Sequence, residues 1–159
     1  MIRALVDVAF EGRFDDHDWE HAFGGIHVIS EADGSVVAHA SVVPRTLAAG
    51  DRLLAAGYVE AVATDPAHRN EGRASAAMRE IAAVIAATCE VGALSTASPT
   101  FYERLGWERW QGETYVQGPE GRVRTADDDA GVMVLRTAAT ADVSLHAPLT
   151  CDWRAGDVW

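Results

Sequence analysis

The chain of 159 residues carries 24 acidic against 13 basic side chains, a net charge of −11, with 48% of its residues apolar. That apolar share and length support one sizeable hydrophobic core and exclude disorder, while the acidity argues against a nucleic-acid partner, which needs concentrated Lys and Arg. No apolar run approaches a membrane span, the N-terminus lacks a secretion-signal pattern, and Cys89 and Cys151 show no metal-ligand spacing. A single cytoplasmic domain over residues 1–159 is expected, with structural thiols, no metal and no membrane partner. An acidic balance suits a cationic ligand, since a carboxylate-lined cleft raises its local concentration.

Ile2, Leu5, Val6 and Ala9 have helical spacing, which predicts a short helix ending before Gly12. Asp15 or Asp16 caps a second helix through Phe23, with Gly24-Gly25 as its stop. Ile26–Ser30 and Val36–Val43 read as strands joined at Ala32-Asp33-Gly34, and a turn at Ala49-Gly50-Asp51 leads to a third strand, Leu53–Thr64. After Gly72, the residues Ala74, Ala77, Met78, Ile81, Ile85 and Thr88 share one helical face. Ala93–Thr96 is a short strand, parallel to its predecessor because a helix crosses between them. Ser98 and Pro99 open a short helix, Thr100–Leu105, stopped by Gly106; from Trp107 to Trp159 turns and strands alternate. This order predicts an α/β (α+β) fold, a mixed and mostly antiparallel central sheet flanked by helices.

Tyr58 to Met78 is the most informative stretch. It reads as a strand, a polar turn broken by Pro66, and a helix opening on Arg69-Asn70-Glu71-Gly72-Arg73-Ala74. Such an opening offers free backbone N–H groups and a positive helix end to a phosphate. The strand is apolar except for Glu60, and a carboxylate in that setting is costly without a partner or a role.

Arg69-x-x-Gly72-x-Ala74 after an apolar strand resembles the acyl-CoA pyrophosphate loop of the GCN5-related N-acetyltransferases (GNAT). Gly24-Gly25-Ile26-His27-Val28, Gly57-Tyr58-Val59-Glu60 and the ending Cys151-Asp152-Trp153-Arg154-Ala155-Gly156-Asp157-Val158-Trp159 resemble the aminoglycoside 2′-N-acetyltransferases, and the similarity runs from about Phe10 to the last residue. The resemblance implies the GNAT fold and transfer of an acetyl group from acetyl-CoA to the 2′-amino group of aminoglycoside antibiotics. It also implies direct amine attack, resistance as the outcome, and a homodimer. Relatives usually carry a first strand and a longer first helix ahead of the segment matching Phe10, where only nine residues stand here, so that strand is expected to be missing, replaced or lost to the choice of start site. Two other readings stay open: acetylation of another small polyamine or amino sugar, and a CoA-binding module without catalysis.

The resemblance also implies residue roles. Glu60 holds and deprotonates the amine through water, and Tyr102 is the acid near the CoA sulfur. Backbone groups of Val62, Ala63 and Thr64 follow the pantetheine arm, with the Val62 amide as oxyanion donor, and Ser95 lines the site. Arg69, Asn70, Glu71, Gly72, Arg73 and Ala74 wrap the pyrophosphate, the two arginines adding side-chain charge. Asp18, Glu60, Ala61, Asp127, Asp128, Asp157 and the terminal carboxylate of Trp159 contact the cationic acceptor, and the aromatic ending can pack against an aminated sugar. Arg13 departs from the pattern, because relatives place an acid there. The six histidines show no metal spacing, and His27 and His39 fall in predicted strands, where packing is the usual explanation.

Overall fold

Two short helices precede the first strand in the computed structural model, which describes residues 1–159. Helix α1 (Ile2–Ala9) buries Leu5 and Val6. Helix α2 (Asp16–Ala22) opens with a capping box: the Asp15 carboxylate accepts from the Asp18 N–H at 2.9 Å, and the Asp18 carboxylate accepts from the Asp15 N–H at 3.0 Å. Asp15 is therefore the cap. There follow β1 (Ile26–Ala32), β2 (Ser35–Ala49), β3 (Arg52–Thr64), α3 (Arg73–Thr88), β4 (Val91–Ser95) and α4 (Pro99–Glu103). Strands β5 (Glu108–Arg109), β6 (Thr114–Gly118), β7 (Gly121–Arg124), β8 (Val132–Arg136) and β9 (Leu149–Asp152) complete the chain. No helix is long and apolar enough to cross a membrane.

Most expected elements stand within a few residues of their predicted bounds. The largest difference is β2, which runs past the expected end at Val43, through Pro44, to Ala49. A proline stops a strand when its missing N–H breaks a ladder. Pro44 escapes that penalty on one side, since the pairing of β2 with β1 ends at Val42 and its pairing with β9 starts at Leu47.

The chain divides into two compact units, and β2, β3 and α3 each contribute to both. The first comprises Met1–Val43 and Val59–Ala83. In it β1 runs antiparallel to β2, from Ile26 opposite Val42 to Ala32 opposite Ser35. The approach at the start of β1 is close: a Cβ on Gly25 would sit 2.3 Å from the Val42 carbonyl oxygen, so only glycine fits. A core of Leu5, Val6, Ala22, Val36, Ala61 and Ala63 is covered by Phe10, Phe14 and Trp19. The predicted apolar face of α3 is buried at Ala77, Met78 and Ile81.

The second unit comprises Pro44–Tyr58 and Val84–Trp159. Its strands lie in the order β5-β8-β4-β3-β2-β9-β6-β7. The β3–β4 pair is parallel, as the crossing helix requires, and so is β6–β9; β2–β9, β4–β8, β5–β8 and β6–β7 are antiparallel. The sheet is thus mixed and mostly antiparallel. Both cysteines are free thiols; Cys151 is buried, which pushes its thiol up to about 11.

Candidate active site

In the first unit the candidate residues line up along β3 and the loop after it. Glu60, Val62 and Thr64 are half-buried, whereas Ala61 and Ala63 are buried against α1 and α2. The parallel ladder to β4 covers only Ala56–Tyr58. Past Tyr58 that ladder does not continue, so β3 and β4 are not paired alongside Val62, Ala63 and Thr64.

Ala61 has φ +52°, a left-handed conformation that an alanine adopts at a cost of about 1–2 kcal/mol. A left-handed residue inside a strand marks a bulge, which re-aims the side chain beside it. Two donors from β2 hold this bulge: the Ser41 hydroxyl donates to the Glu60 carbonyl at 3.1 Å, and His39 Nδ1 donates to the Ala61 carbonyl at 2.7 Å. Sequence reasoning missed the bulge and both donors. The structure shows the bulge as a shift of phase, with Leu54, Ala56 and Tyr58 buried before it and Val59, Ala61 and Ala63 after it.

The loop into α3 curves through two left-handed residues, Asn70 at φ +65° and Gly72 at φ +76°. Alternating left-handed residues at a helix start gather N–H groups on a concave side, the geometry that receives phosphate oxygens. The side chains refine the expectation for Arg73. Its Nε donates to Glu71 at 2.7 Å and its Nη1 to the Ser30 hydroxyl at 2.9 Å, while His68 Nδ1 lies 3.2 Å from the same Glu71 carboxylate. The Arg73 guanidinium, then His68, hold the Glu71 carboxyl below the usual range. Glu71 and Arg73 thus neutralise one another, and Arg69, exposed and in no ion pair, supplies the loop's uncompensated positive charge. Asp18, half-buried, has one carboxylate oxygen committed to the α2 cap.

In the second unit, Tyr102 sits in α4 with its ring edge-on to Phe101 and Trp107. Burial pushes its phenol up to about 12, so it is neutral throughout the working range. Ser95 is exposed at the end of β4, opposite Val132. The three aspartates of the 127–129 run separate in role. Asp129 accepts from Arg124 Nη1 and from the Thr114 N–H and hydroxyl at 2.8–2.9 Å, and pairs with Arg124 Nη2 as well; Arg124 is the main cause of its fall to about 2. Asp128 is shifted up, first by burial and then by the charges of Asp157, Asp127 and Asp129. Asp127, Asp128 and Asp157 therefore share one acidic corner.

Trp159 belongs to the same corner, but not as an open stacking face. It is buried, and its indole N–H donates to the Thr125 hydroxyl at 2.9 Å, directly before the turn Ala126–Asp128. The ring of Trp159 packs into the protein, whereas Trp153 of the same aromatic ending is exposed. The preceding segment is fastened by Arg45, which the sequence did not single out. Its guanidinium, 4% exposed, donates to the Asp152 carboxylate (2.8 Å), the Asp152 carbonyl (2.6 Å) and the Val158 carbonyl (2.7 Å), and lies 4.7 Å over the Tyr58 ring.

A family profile described as an acetyltransferase (GNAT) domain matches residues 2–110. The chain belongs to the GNAT acetyltransferases. This acetyltransferase is also 45% identical, over 99% of its length and 83% of the relative's, to a Mycolicibacterium fortuitum protein named aminoglycoside 2′-N-acetyltransferase. Among solved structures, a GNAT family N-acetyltransferase of Escherichia coli in complex with CoA superposes with a TM-score of 0.69 at 17% identity, over 94% of this chain and 82% of that one. A Brucella melitensis GNAT acetyltransferase in complex with acetyl-CoA gives 0.54 at 20% identity, over 87% and 88%. A larger GNAT protein of Kribbella flavida gives 0.61 at 21% identity, where the match spans 70% of this chain but only 30% of that one. These likenesses agree with the fold; no group of three or more His, Cys, Asp or Glu is arranged to hold a metal.

Proposed function

We propose that this acetyltransferase transfers the acetyl group of acetyl-CoA to the 2′-amino group of aminoglycoside antibiotics and so confers resistance. The observation that carries this reading is the 45% identity to a protein of that name over 99% of the chain. The acidic corner of Asp127, Asp128 and Asp157 fits a polycationic acceptor, and removing one positive charge from such a drug weakens its hold on RNA. In this reading residues 1–159 act as one catalytic domain, cytoplasmic as the sequence pattern suggests and homodimeric as the resemblance implies.

The Arg69–Ala74 turn then receives the pyrophosphate with its backbone amides, and the stretch of β3 beyond its pairing with β4, at Val62, Ala63 and Thr64, holds the pantetheine arm. The bound thioester supplies the activated acyl group. An alkyl amine is mostly protonated at neutral pH, so Glu60 takes the proton through water as attack proceeds. The Val62 N–H faces the developing oxyanion. Tyr102, kept neutral by burial, donates to the thiolate as its charge develops, with Ser95 lining the same site. Asp18, Ala61, Asp127, Asp128, Asp157 and the Trp159 carboxylate bind the acceptor beside Glu60.

The test compares products from a 2′-amino and a 2′-hydroxy aminoglycoside by mass spectrometry and NMR. The expected result is one acetyl group at the 2′ nitrogen of the first and no product from the second. Equal acetylation of both removes the 2′ assignment. Arg13, exposed at a position where the resemblance implies an acid, favours a second reading in which another amino sugar or polyamine is preferred.

A further inference from the structure

The structure brings together the two histidines that the sequence reading left to packing. His39 Nε2 lies 2.9 Å from His27 Nδ1, while His39 Nδ1 contacts the Ala61 carbonyl at 2.7 Å. A carbonyl only accepts, so Nδ1 of His39 carries the hydrogen. Burial is the main reason that His39 is driven toward its neutral form, and neutral imidazole with Nδ1–H has Nε2 as an acceptor. His27 must then donate from its own Nδ1. The chain of donors runs one way, from half-buried His27 to fully buried His39 to the bulge.

A left-handed alanine inside a strand persists only where its surroundings hold it. The α1 and α2 core packs the Ala61 methyl, and Ser41 takes the preceding carbonyl. Only His39 is seen to engage the carbonyl of the left-handed residue itself. We propose that His39 is a positioning residue for catalysis: its Nδ1–H, oriented by His27, fixes the Ala61 bulge and with it the direction of the Glu60 carboxylate and the Val62 N–H. This inference rests on the reading of Glu60 and Val62 given above.

Two variants and one spectrum test it. Asparagine places an amide N–H close to where Nδ1–H stands, whereas leucine fills the space without a donor. His39→Leu is expected to lower kcat about 10–100-fold, as a small misplacement of reacting groups does, with the KM for acetyl-CoA changed less than about threefold. His39→Asn restores most of that loss. Unchanged kcat in the leucine variant, or equal losses in both variants, overturns the inference. Nitrogen NMR of the wild-type enzyme reads the tautomer without any substitution: a protonated Nδ1 on His39 is expected, and a protonated Nε2 with bare Nδ1 overturns the inference even if neither variant folds. The Glu60 reading fails separately, through full turnover in Glu60→Gln, an outcome that leaves the leucine–asparagine difference and the tautomer intact.

Discussion

The bulge at Glu60–Ala61 and the carboxyl-terminal segment Asp152–Trp159 solve one problem with different chemistry. Each presents backbone carbonyls that accept hydrogen bonds from a β2 side chain, and that donor is buried in both cases. At the bulge the donors, His39 and Ser41, add no fixed charge. At the terminus the donor is Arg45, a permanent cation. The difference follows from what each region presents. Under the base role proposed for Glu60, its carboxylate would lose basicity beside an added cation, and neutral donors hold its backbone without that penalty. The terminal segment has no proton to take, and a guanidinium there holds two carbonyls and a carboxylate at once through its planar array of donors.

The sharpest way to break this comparison is at the base. Glu60→Gln keeps the shape and removes the proton acceptor. Turnover should fall about 100-fold near pH 6 and only about tenfold near pH 9, where free amine is more plentiful. Equal losses across a kcat–pH profile would take Glu60 out of the base role and leave the neutral donors without a catalytic reason.

Arg45→Met tests the charged side. It leaves the carbonyls of Asp152 and Val158 without this donor, a loss of about 3 kcal/mol, of which the half-exposed Asp152 carboxylate contributes little. Thermal unfolding should drop by about 6–12 °C. The KM for the aminoglycoside should rise more than that for acetyl-CoA, because the freed segment carries Asp157 and Trp159. Arg45→Lys, which keeps the charge but not the array of donors, should recover less than half of the stability. Full recovery by lysine would mean that charge alone holds the terminus.

The two regions were not equally legible in the sequence. Helix stops at glycine, the Asp15 cap and the Gly72 turn were readable because each uses a residue with one dominant local preference. The bulge was hidden because it sits on an alanine, whose own preference is against φ +52° and which is overridden by packing and by His39. Arg45 was hidden behind Pro44, which closed the predicted strand at Val43, two residues too early for the arginine to count as buried. The acids at Asp127, Asp128 and Asp157 were picked out by resemblance. That Asp129 differs from its neighbours depends on Arg124 and Thr114, which reach it from other parts of the chain.

Asp128 and Asp129 repeat the comparison within adjacent residues, one acid burdened first by burial and then by other acids, and one neutralised by a cation. The raised Asp128 carboxyl means that folding favours its neutral form. Its contribution to stability is full below the unfolded value and is lost as pH rises through the folded one. At pH 7 the ionised group therefore burdens the fold. Asp128→Asn should raise the melting temperature by about 1–2 °C at neutral pH, with the gain vanishing in acid. The KM for a polycationic aminoglycoside should rise severalfold in the same variant, a trade of function against stability. A melting temperature that falls at pH 7 would show that Asp128 has a structural partner of its own.

The smallest effect expected lies at Arg13, where charge and local structure oppose one another. Its Nε donates to the Phe10 carbonyl at 3.2 Å, just past the end of α1, and its Nη2 lies 3.5 Å from the Glu11 carboxylate. Arg13→Asp removes a cation from the approach of a cationic acceptor, which should lower the aminoglycoside KM about two- to threefold, mainly through faster association at low salt. It also sets an anion at the negative end of α1, at a stability loss of about 0.3–1 kcal/mol. Measuring both at low and high ionic strength separates them: the gain in KM should fade with salt along with part of the stability loss, since both are Coulombic and exposed. A gain in KM that persists at high salt would place Arg13 in direct contact with the acceptor, and would move the decision about which amine is accepted from the acidic corner to the turn after α1.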